Sequence, residues 1–464
     1  MLKEFSKIEY KNKPELDHDF VPVVLWNYRY RQSLIEHGKQ EKIIISIEDA
    51  SGSIFSYPTE IFPNNDIYYN LNIKYIQGII DSILWIIGGY KLTLSGNRKI
   101  FEHFKDKYLS EDNPNFESTF MGKNVYRKPF EVNYCSFEDA PTSNENYIKP
   151  SKNINGNRIG FDLGGTTKKC AAVVNGEIVF ATSIPWDPRS QKDPEWFRNE
   201  IKDLLNKAAE KMPSVDCIGG SSAGVIIDNQ PRGGLIFLNV PPNRFNTISN
   251  LFTDLKKEWK IPVAIVNDGE VTALAGAQTL NKNAILGVCM GTSFGGGYIT
   301  PEGFLTGRLN EIGYVPIDYN EKAVVDEWSG CVGTGIKYFS IQAIARLAPL
   351  AKIDVSKCIS EHDISQLILN LLKKNDKRAE NIYITIGAYL AYAIAHYSEF
   401  YEFKNILPLG GVTLGKGGKL MIAETKRILK EDFKSIYNSI EFLDFNSSDN
   451  HKALAIAAAS IPVI

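Results

Sequence analysis

Residues 158–183 read RIGFDLGGTTKKCAAVVNGEIVFATS, and three β-like runs can be cut from them: Arg158–Leu163, Lys169–Val174 and Ile178–Ser183. The second and third meet at Asn175-Gly176, a dipeptide suited to a type I′ hairpin turn because both residues tolerate positive φ. Between the first and second lie Gly164, Gly165, Thr166 and Thr167, where paired glycines let backbone N–H groups approach an anion closely. Asp162, just before them, is a hard oxygen ligand of the kind that holds hydrated Mg²⁺ together with phosphate oxygens. Taken alone, the stretch also reads as a plain glycine turn with a solvated aspartate.

Outward from this start, short β-like runs alternate with amphipathic helices, which argues for an α/β architecture. Asp193-Pro194-Glu195 supplies an N-cap, a proline at the first helical position and an early acid, so a helix starts there. Its apolar residues Phe197, Ile201, Leu204, Leu205, Ala208 and Met212 keep a 3.6-residue period and give one face to bury on a sheet. Further strands are expected at Val215–Gly219, Pro262–Val266, Ala284–Met290 and Ile406–Leu409, with helices over Ala379–Tyr397 and the Ala-rich His451–Ile461.

Two more glycine turns follow strands. Gly291-Thr292-Ser293-Phe294-Gly295 comes after Ala284–Met290, with an expected hairpin through Pro301-Glu302-Gly303, and Gly410-Gly411 comes after Ile406–Leu409. The last cluster nearly fits the Walker A spacing, but Gly417 stands where a hydroxyl should bind Mg²⁺, which demotes a P-loop. No G-x-G-x-x-G opens a helix in a βαβ unit, so dinucleotide binding lacks its fingerprint. VAIVNDGE (263–270) is a buried-looking strand ending on Asn267, Asp268 and Gly269. A carboxylate at a strand end can take a proton from a hydroxyl, which makes Asp268 the general-base candidate. The other reading is that Asn267-Asp268 starts a turn or caps the following helix, Thr272–Thr279.

Composition excludes several classes. The 464 residues carry 52 Lys and Arg against 54 Asp and Glu, a net charge of −2, and 44% hydrophobic residues. A disordered chain or a disulfide scaffold is ruled against, and no general positive field attracts nucleic acid. Cys135, Cys170, Cys217, Cys289, Cys331 and Cys358 form no CxxC pair, so reduced, mostly buried thiols are expected. The N-terminal MLKEFSKIEYKNK is charged, without an apolar signal core. The apolar run Ile76–Ile87 carries Asp81 and is shorter than the ~20 residues a bilayer needs. A cytoplasmic protein with no membrane partner is the expectation.

The order DLGGTT, Ser221-Ser222-Ala223-Gly224, VNDGEVTALAGA, GVCMGTSFGGGYI, Asn310-Glu311-Ile312-Gly313 and LGGVTLG resembles the ROK family of sugar kinases and repressors, from about Arg158 to the end. The resemblance implies an α/β, two-lobed actin-like ATPase (ribonuclease H-like) fold with ATP, Mg²⁺ and a sugar in the cleft. It divides the chain into residues 157–277 plus 448–464 as the first lobe and 278–447 as the second. Gly164, Gly165, Thr166 and Thr167 would contact phosphates, and Asp162 would lie near Mg²⁺. Gly291, Thr292, Ser293 and Gly295 would form the second phosphate turn, and Gly410 and Gly411 would lie beside adenosine. Asp268 matches the catalytic base, and Asn267 and Glu311 match sugar-contacting positions.

The departures are specific. The zinc segment is missing, since Tyr314 replaces its His and only Cys331 stands in the region that follows; no structural zinc is expected. Tyr314 then lies at a substrate position, and Asp326 or Glu327 substitutes for a lost downstream Glu. Thr167 stands where many members have Lys. Residues 1–150 form an extra α+β domain outside the resemblance, with a hairpin from Lys42–Glu48 and Ser53–Phe62, a helix Ile73–Ile87 and a strand Lys91–Leu94. That order is compatible with a degenerate actin-like half or with an independent packing or oligomerisation domain, so a homo-oligomer is one expectation. The polar stretch 138–157 reads as the linker. Besides the kinase, the family admits a catalytically inactive sugar-binding or regulatory protein, and a repressor, which the strand-first N-terminus disfavours.

Overall fold

The computed structural model describes residues 5, 7–63, 67–151, 154–444 and 450–463. Its N-terminal part contains α1 (Val23–His37), β1 (Glu41–Glu48), β2 (Ile54–Ile61), α2 (Tyr69–Ile86), β3 (Lys91–Ser95), α3 (Arg98–Leu109), β4 (Glu131–Cys135) and the short β5 (Tyr147–Ile148). The first lobe follows with β6 (Asn157–Leu163), β7 (Thr167–Val174), β8 (Glu177–Pro185), α4 (Pro194–Ala209), β9 (Cys217–Ser222), α5 (Phe245–Trp259), β10 (Val263–Asn267) and α6 (Asp268–Leu280). The second lobe has β11 (Ile285–Met290), β12 (Phe294–Ile299), β13 (Leu305–Thr306), α7 (Ile341–Leu350), α8 (Lys377–Tyr397), β14 (Asn405–Leu409), α9 (Gly415–Asp432) and β15 (Glu441–Phe442), and the chain ends in α10 (Asn450–Ser460).

The first-lobe sheet runs β10-β9-β6-β7-β8, with β6 antiparallel to β7 and parallel to β9. The second-lobe sheet, β12-β11-β14-β15, repeats the same start: β11 is antiparallel to β12 and parallel to β14. Two copies of this arrangement make the two-lobed actin-like fold. The Pro301-Glu302-Gly303 turn closes, with Gly303 at φ +86° and its N–H on the Thr300 carbonyl at 3.0 Å. The strand it delivers, β13, pairs with β5 from the expected linker, so that linker is stitched to the second lobe. Asp193 caps α4 as its sequence predicts, accepting from Glu195 N–H at 3.2 Å. The Ala-rich α10 returns to the first lobe, where a Cβ at Gly160 or Gly219 would run into the carbonyl oxygens of Ala455 and Ala458. Residues 448, 449 and 464 of that return, and 152 and 153 of the linker, lie outside the described residues.

The N-terminal part corrects two expectations. In an actin-like half the first strand is parallel to the strand after its first helix, as β6 is to β9; β1 is antiparallel to β3, so residues 1–150 are not a degenerate half of that kind. Nor are they independent, because their core is continuous with that of the second lobe and joins Trp26, Tyr30 and Ile79 to Tyr338, Tyr389 and Tyr392. Phe20 lies 4.7 Å from Tyr389 between ring centroids, and Trp26 lies 5.4 Å from Tyr319. Burying each such side chain is worth roughly 1.5–3 kcal/mol, so the two parts stabilise each other.

Candidate functional site

Because β6, β9 and β10 are parallel neighbours, their C-terminal ends emerge together: Leu163 is level with Ser222, and Ser222 with Asn267. The glycine turn after Leu163 and the start of α6 therefore face each other. Asp162 is buried, its Oδ1 accepting from Ser221 Oγ at 2.6 Å and its Oδ2 2.8 Å from Lys169 Nζ. Lys169 reaches it because antiparallel pairing sets residue 169 directly across from 162. In the turn, Gly164 N–H is closed on the Thr167 carbonyl at 3.0 Å and Trp186 Nε1 holds the Gly164 carbonyl at 2.7 Å. Gly165 and Thr167 are half-buried and Thr166 is exposed.

Asn267 caps α6, its Oδ1 accepting from Gly269 N–H at 2.7 Å while its Nδ2 donates to the Gly224 carbonyl at 2.8 Å. The capping reading of this segment therefore holds for Asn267, and the cap sets the next residue, Asp268, just beyond the strand end. Asp268 is half-buried. Burial pushes its carboxyl up to about 6, the Asp162 charge adds to this, and Lys169 works against it. Across the lobe boundary, a Cβ at Gly269 would strike the Gly296 carbonyl, and one at Gly297 the Gly269 carbonyl; glycines on both sides let α6 and β12 touch backbone to backbone. The Cys289 thiol on β11 is pushed up to about 12, chiefly by burial and then by Asp268.

Glu311 joins the cluster from the second lobe. Burial, then the Asp268 charge, pushes its carboxyl up to about 7. The backbone N–H groups of Leu309, Asn310 and Glu311 donate to the carbonyls of Ile87, Ile86 and Trp85 at 3.0, 2.9 and 2.9 Å. Carbonyls at a helix C-terminus have no partner within the helix, so the end of α2 fixes Glu311, and the N-terminal part helps to build the site. Sequence reasoning missed this link and also Glu270, a buried acid whose carboxyl burial pushes up to about 8 against a hydrogen bond from Asn310.

The other two glycine turns are neighbours, because β11 and β14 are parallel with Cys289 level with Leu409. Gly410 has φ +91°, and a Cβ there would collide with the backbone of Met290; this close approach requires glycine. It sets Gly410 and Gly411 beside the turn of Gly291, Thr292 and Ser293, in which Gly291 N–H closes on the Ser293 carbonyl at 2.9 Å. Gly295 is level with Cys289 on the adjoining strand. The Tyr314 ring lies 4.6 Å from that of Trp85. Asp326 and Glu327 are turned to other partners: Asp326 accepts from Ser329 Oγ at 2.7 Å and Glu327 pairs with Lys337. Cys331 Sγ donates to Glu117 at 3.1 Å. Among the described residues no group of three or more His, Cys, Asp or Glu is placed to hold a metal, and no helix is long and apolar enough to cross a membrane.

Known proteins share this arrangement to a measured extent. The chain is 31% identical over 169 residues to an N-acetyl-D-glucosamine kinase of Haemophilus influenzae, a match covering 35% of this chain and 53% of that one. The chain thus spans about half the length of the curated relatives it matches. A ROK hexokinase from Thermus thermophilus superposes with a TM-score of 0.51 at 16% identity, covering 65% of this chain and 97% of that one. A ROK family transcriptional regulator, a homolog of E. coli MLC protein, gives 0.50 at 18% identity over 66% and 79%. The model of the ROK family matches residues 158–459, and with two repeated sheets meeting at these strand ends, the chain belongs to the ROK family.

Proposed function

We propose that this protein is an ATP-dependent kinase acting on a hydroxyl of a hexose or related sugar, with Asp268 as the general base. The observation that carries the reading is a chain of acids beside the glycine turns, with Asp162 held by Lys169, Asp268 raised by the Asp162 charge, and Glu311 of the second lobe raised by the Asp268 charge. The kinase relatives support the same reaction class. Gly165, Thr166 and Thr167 on one side, and Thr292, Ser293 and Gly295 on the other, would hold the phosphates, with Gly164 and Gly291 shaping the two turns. Gly410 and Gly411 would border the adenosine.

Asp162 fits a Mg²⁺ site of the sparse kind, one hard carboxylate completed by water and phosphate oxygens, and the ion would have to share that carboxylate with the Lys169 ammonium, 2.8 Å from Oδ2. Bound there, Mg²⁺ would neutralise charge on the transferring phosphoryl group. Asp268, with its carboxyl near 6, is ionised at neutral pH yet basic enough to take the hydroxyl proton. Asn267 orients it through the α6 cap and keeps one amide hydrogen for the sugar. Glu311, near 7, can accept from or donate to a neighbouring hydroxyl. Tyr314 would border the sugar beyond Glu311.

An ADP-release assay with Mg·ATP over a panel of hexoses, hexosamines and their N-acetyl derivatives tests this. Sugar-dependent release by any member supports the kinase. The inactive, sugar-binding reading is favoured by the Lys169–Asp162 pair at the metal position; sugar binding with no release over the whole panel selects it.

A further inference from the structure

Both β6 and β8 are antiparallel to β7, so the C-terminal end of β8 emerges on the same edge of the sheet as Asp162, with Pro185 level with Thr167. The segment that leaves it, Trp186-Asp187-Pro188-Arg189, is tied to the first glycine turn. Trp186 N–H donates to the Thr166 carbonyl at 3.1 Å, and its indole Nε1 donates to the Gly164 carbonyl at 2.7 Å. The Trp186 ring stacks on Trp196 of α4 with centroids 5.7 Å apart, Pro188 is buried, and Asn239 Nδ2 donates to the Arg189 carbonyl. The backbone of Arg189 is therefore fixed beside the turn, while its side chain is exposed.

The guanidinium lies over the turn. A Cβ built on Gly165 would come 3.5 Å from Arg189 Nη2, and apart from the chain neighbours of Gly165 nothing else lies within 4 Å of that point. Glycine thus leaves a niche between the backbone of the turn and the arginine. Among the described residues the Arg189 guanidinium has no ion pair or hydrogen bond. The nearby lysines are already paired, Lys168 with Glu200 and Lys169 with Asp162. An unpaired cation held against a turn that opens its amides to an anion suits a phosphate, whose oxygens match the planar guanidinium fork two at a time.

We propose that Arg189 is a phosphate-binding residue of the nucleotide site, its guanidinium meeting the β- and γ-phosphates of ATP over the turn of Gly164 and Gly165. The proposal rests on the reading of these turns as a nucleotide site and adds a residue to it. The phosphates concerned are the terminal ones because the turn directly follows Asp162, and in phosphoryl transfer the metal bridges the β- and γ-oxygens. As the acceptor oxygen bonds to the γ-phosphorus, the bond to the β–γ bridging oxygen breaks, its electron pair leaves with ADP, and the hydroxyl proton passes to Asp268. Arg189 stays protonated throughout and donates hydrogen bonds to the phosphate oxygens.

The test is calorimetric titration of the full chain with Mg·ATP, repeated on Arg189→Met and Arg189→Lys, beside the ADP-release assay. The side chain is exposed and unpaired, so the melting temperatures without nucleotide should match the parent's. ATP affinity is expected to fall about tenfold or more in Arg189→Met, with Arg189→Lys, which keeps the charge without the fork, in between. ATP affinity in Arg189→Met equal to the parent's would overturn the proposal and leave the kinase reading standing, whereas a parent chain that does not bind ATP would overturn both. Arg189-dependent ATP binding with no ADP release on any sugar would sink the kinase reading alone.

Discussion

The Lys169 ammonium sits 2.8 Å from Asp162 Oδ2, and its charge also lowers the carboxyl of Asp268 at the start of α6. Its presence helps keep Asp268 ionised against burial and the neighbouring Asp162 charge. Of the two lysines that follow Thr167, Lys168 turns to Glu200 and Lys169 to Asp162.

Removing that charge should be visible in the pH profile. In Lys169→Met, Asp268 loses its attractive partner and its carboxyl rises further above 6. The acid limb of kcat/KM should move to higher pH by up to about one unit. A limb that stays in place would show that Lys169 does not act on the base.

Stability should fall as pH rises through neutrality. The carboxyls of Asp268, Glu311 and Glu270 are pushed up to about 6, 7 and 8 in the folded chain, from ordinary values of 3.8, 4.5 and 4.5. Between the two values the folded chain binds more protons than the unfolded one. Stability from these groups is therefore full below about pH 4 and is lost as pH rises from about 4 to 8. Glu270→Gln keeps the Asn310 hydrogen bond without the titration, so its melting point at pH 8 should exceed the parent's by about 2 °C or more, with the gap closing at pH 5. A gap independent of pH would contradict the assignment.

The shared core makes residues 1–150 structurally necessary. A chain beginning at residue 157 would expose the second lobe's half of that core and lose the carbonyls that hold Glu311. It should be insoluble or lack a cooperative melting transition by circular dichroism. Soluble, cooperative folding would show that the N-terminal part is dispensable.

Gly410→Ala places a Cβ against the Met290 backbone at φ +91°. The turn must shift, at a cost of about 1–3 kcal/mol, and KM for ATP should rise about tenfold or more while KM for the sugar changes little. Equal effects on both would remove Gly410 from the nucleotide side.

Local pattern carried the first lobe well: the β6–β8 meander, the Asp193 cap and the close-packing α10 all follow from turn chemistry and residue size. Lys169 was within reach too. The glycine turn that follows Leu163 joins β6 to β7 and sets Leu163 opposite Lys168, and that register alone brings 162 opposite 169. The hold of α2 on Glu311 was not legible, because it joins carbonyls and amides more than 220 residues apart in sequence and leaves no local pattern. The antiparallel β1/β3 pairing was hidden for a related reason: a run of alternating or apolar residues specifies a strand, whereas its direction is set by the path of the chain around it.

The most direct measurement compares Asp268→Asn with the parent protein in the ADP-release assay, alongside calorimetric sugar affinity. A base at this position predicts a kcat lower by about 10²-fold or more, with sugar affinity within a few-fold of the parent. Turnover that survives the substitution would contradict the assignment of Asp268 as the group that deprotonates the acceptor.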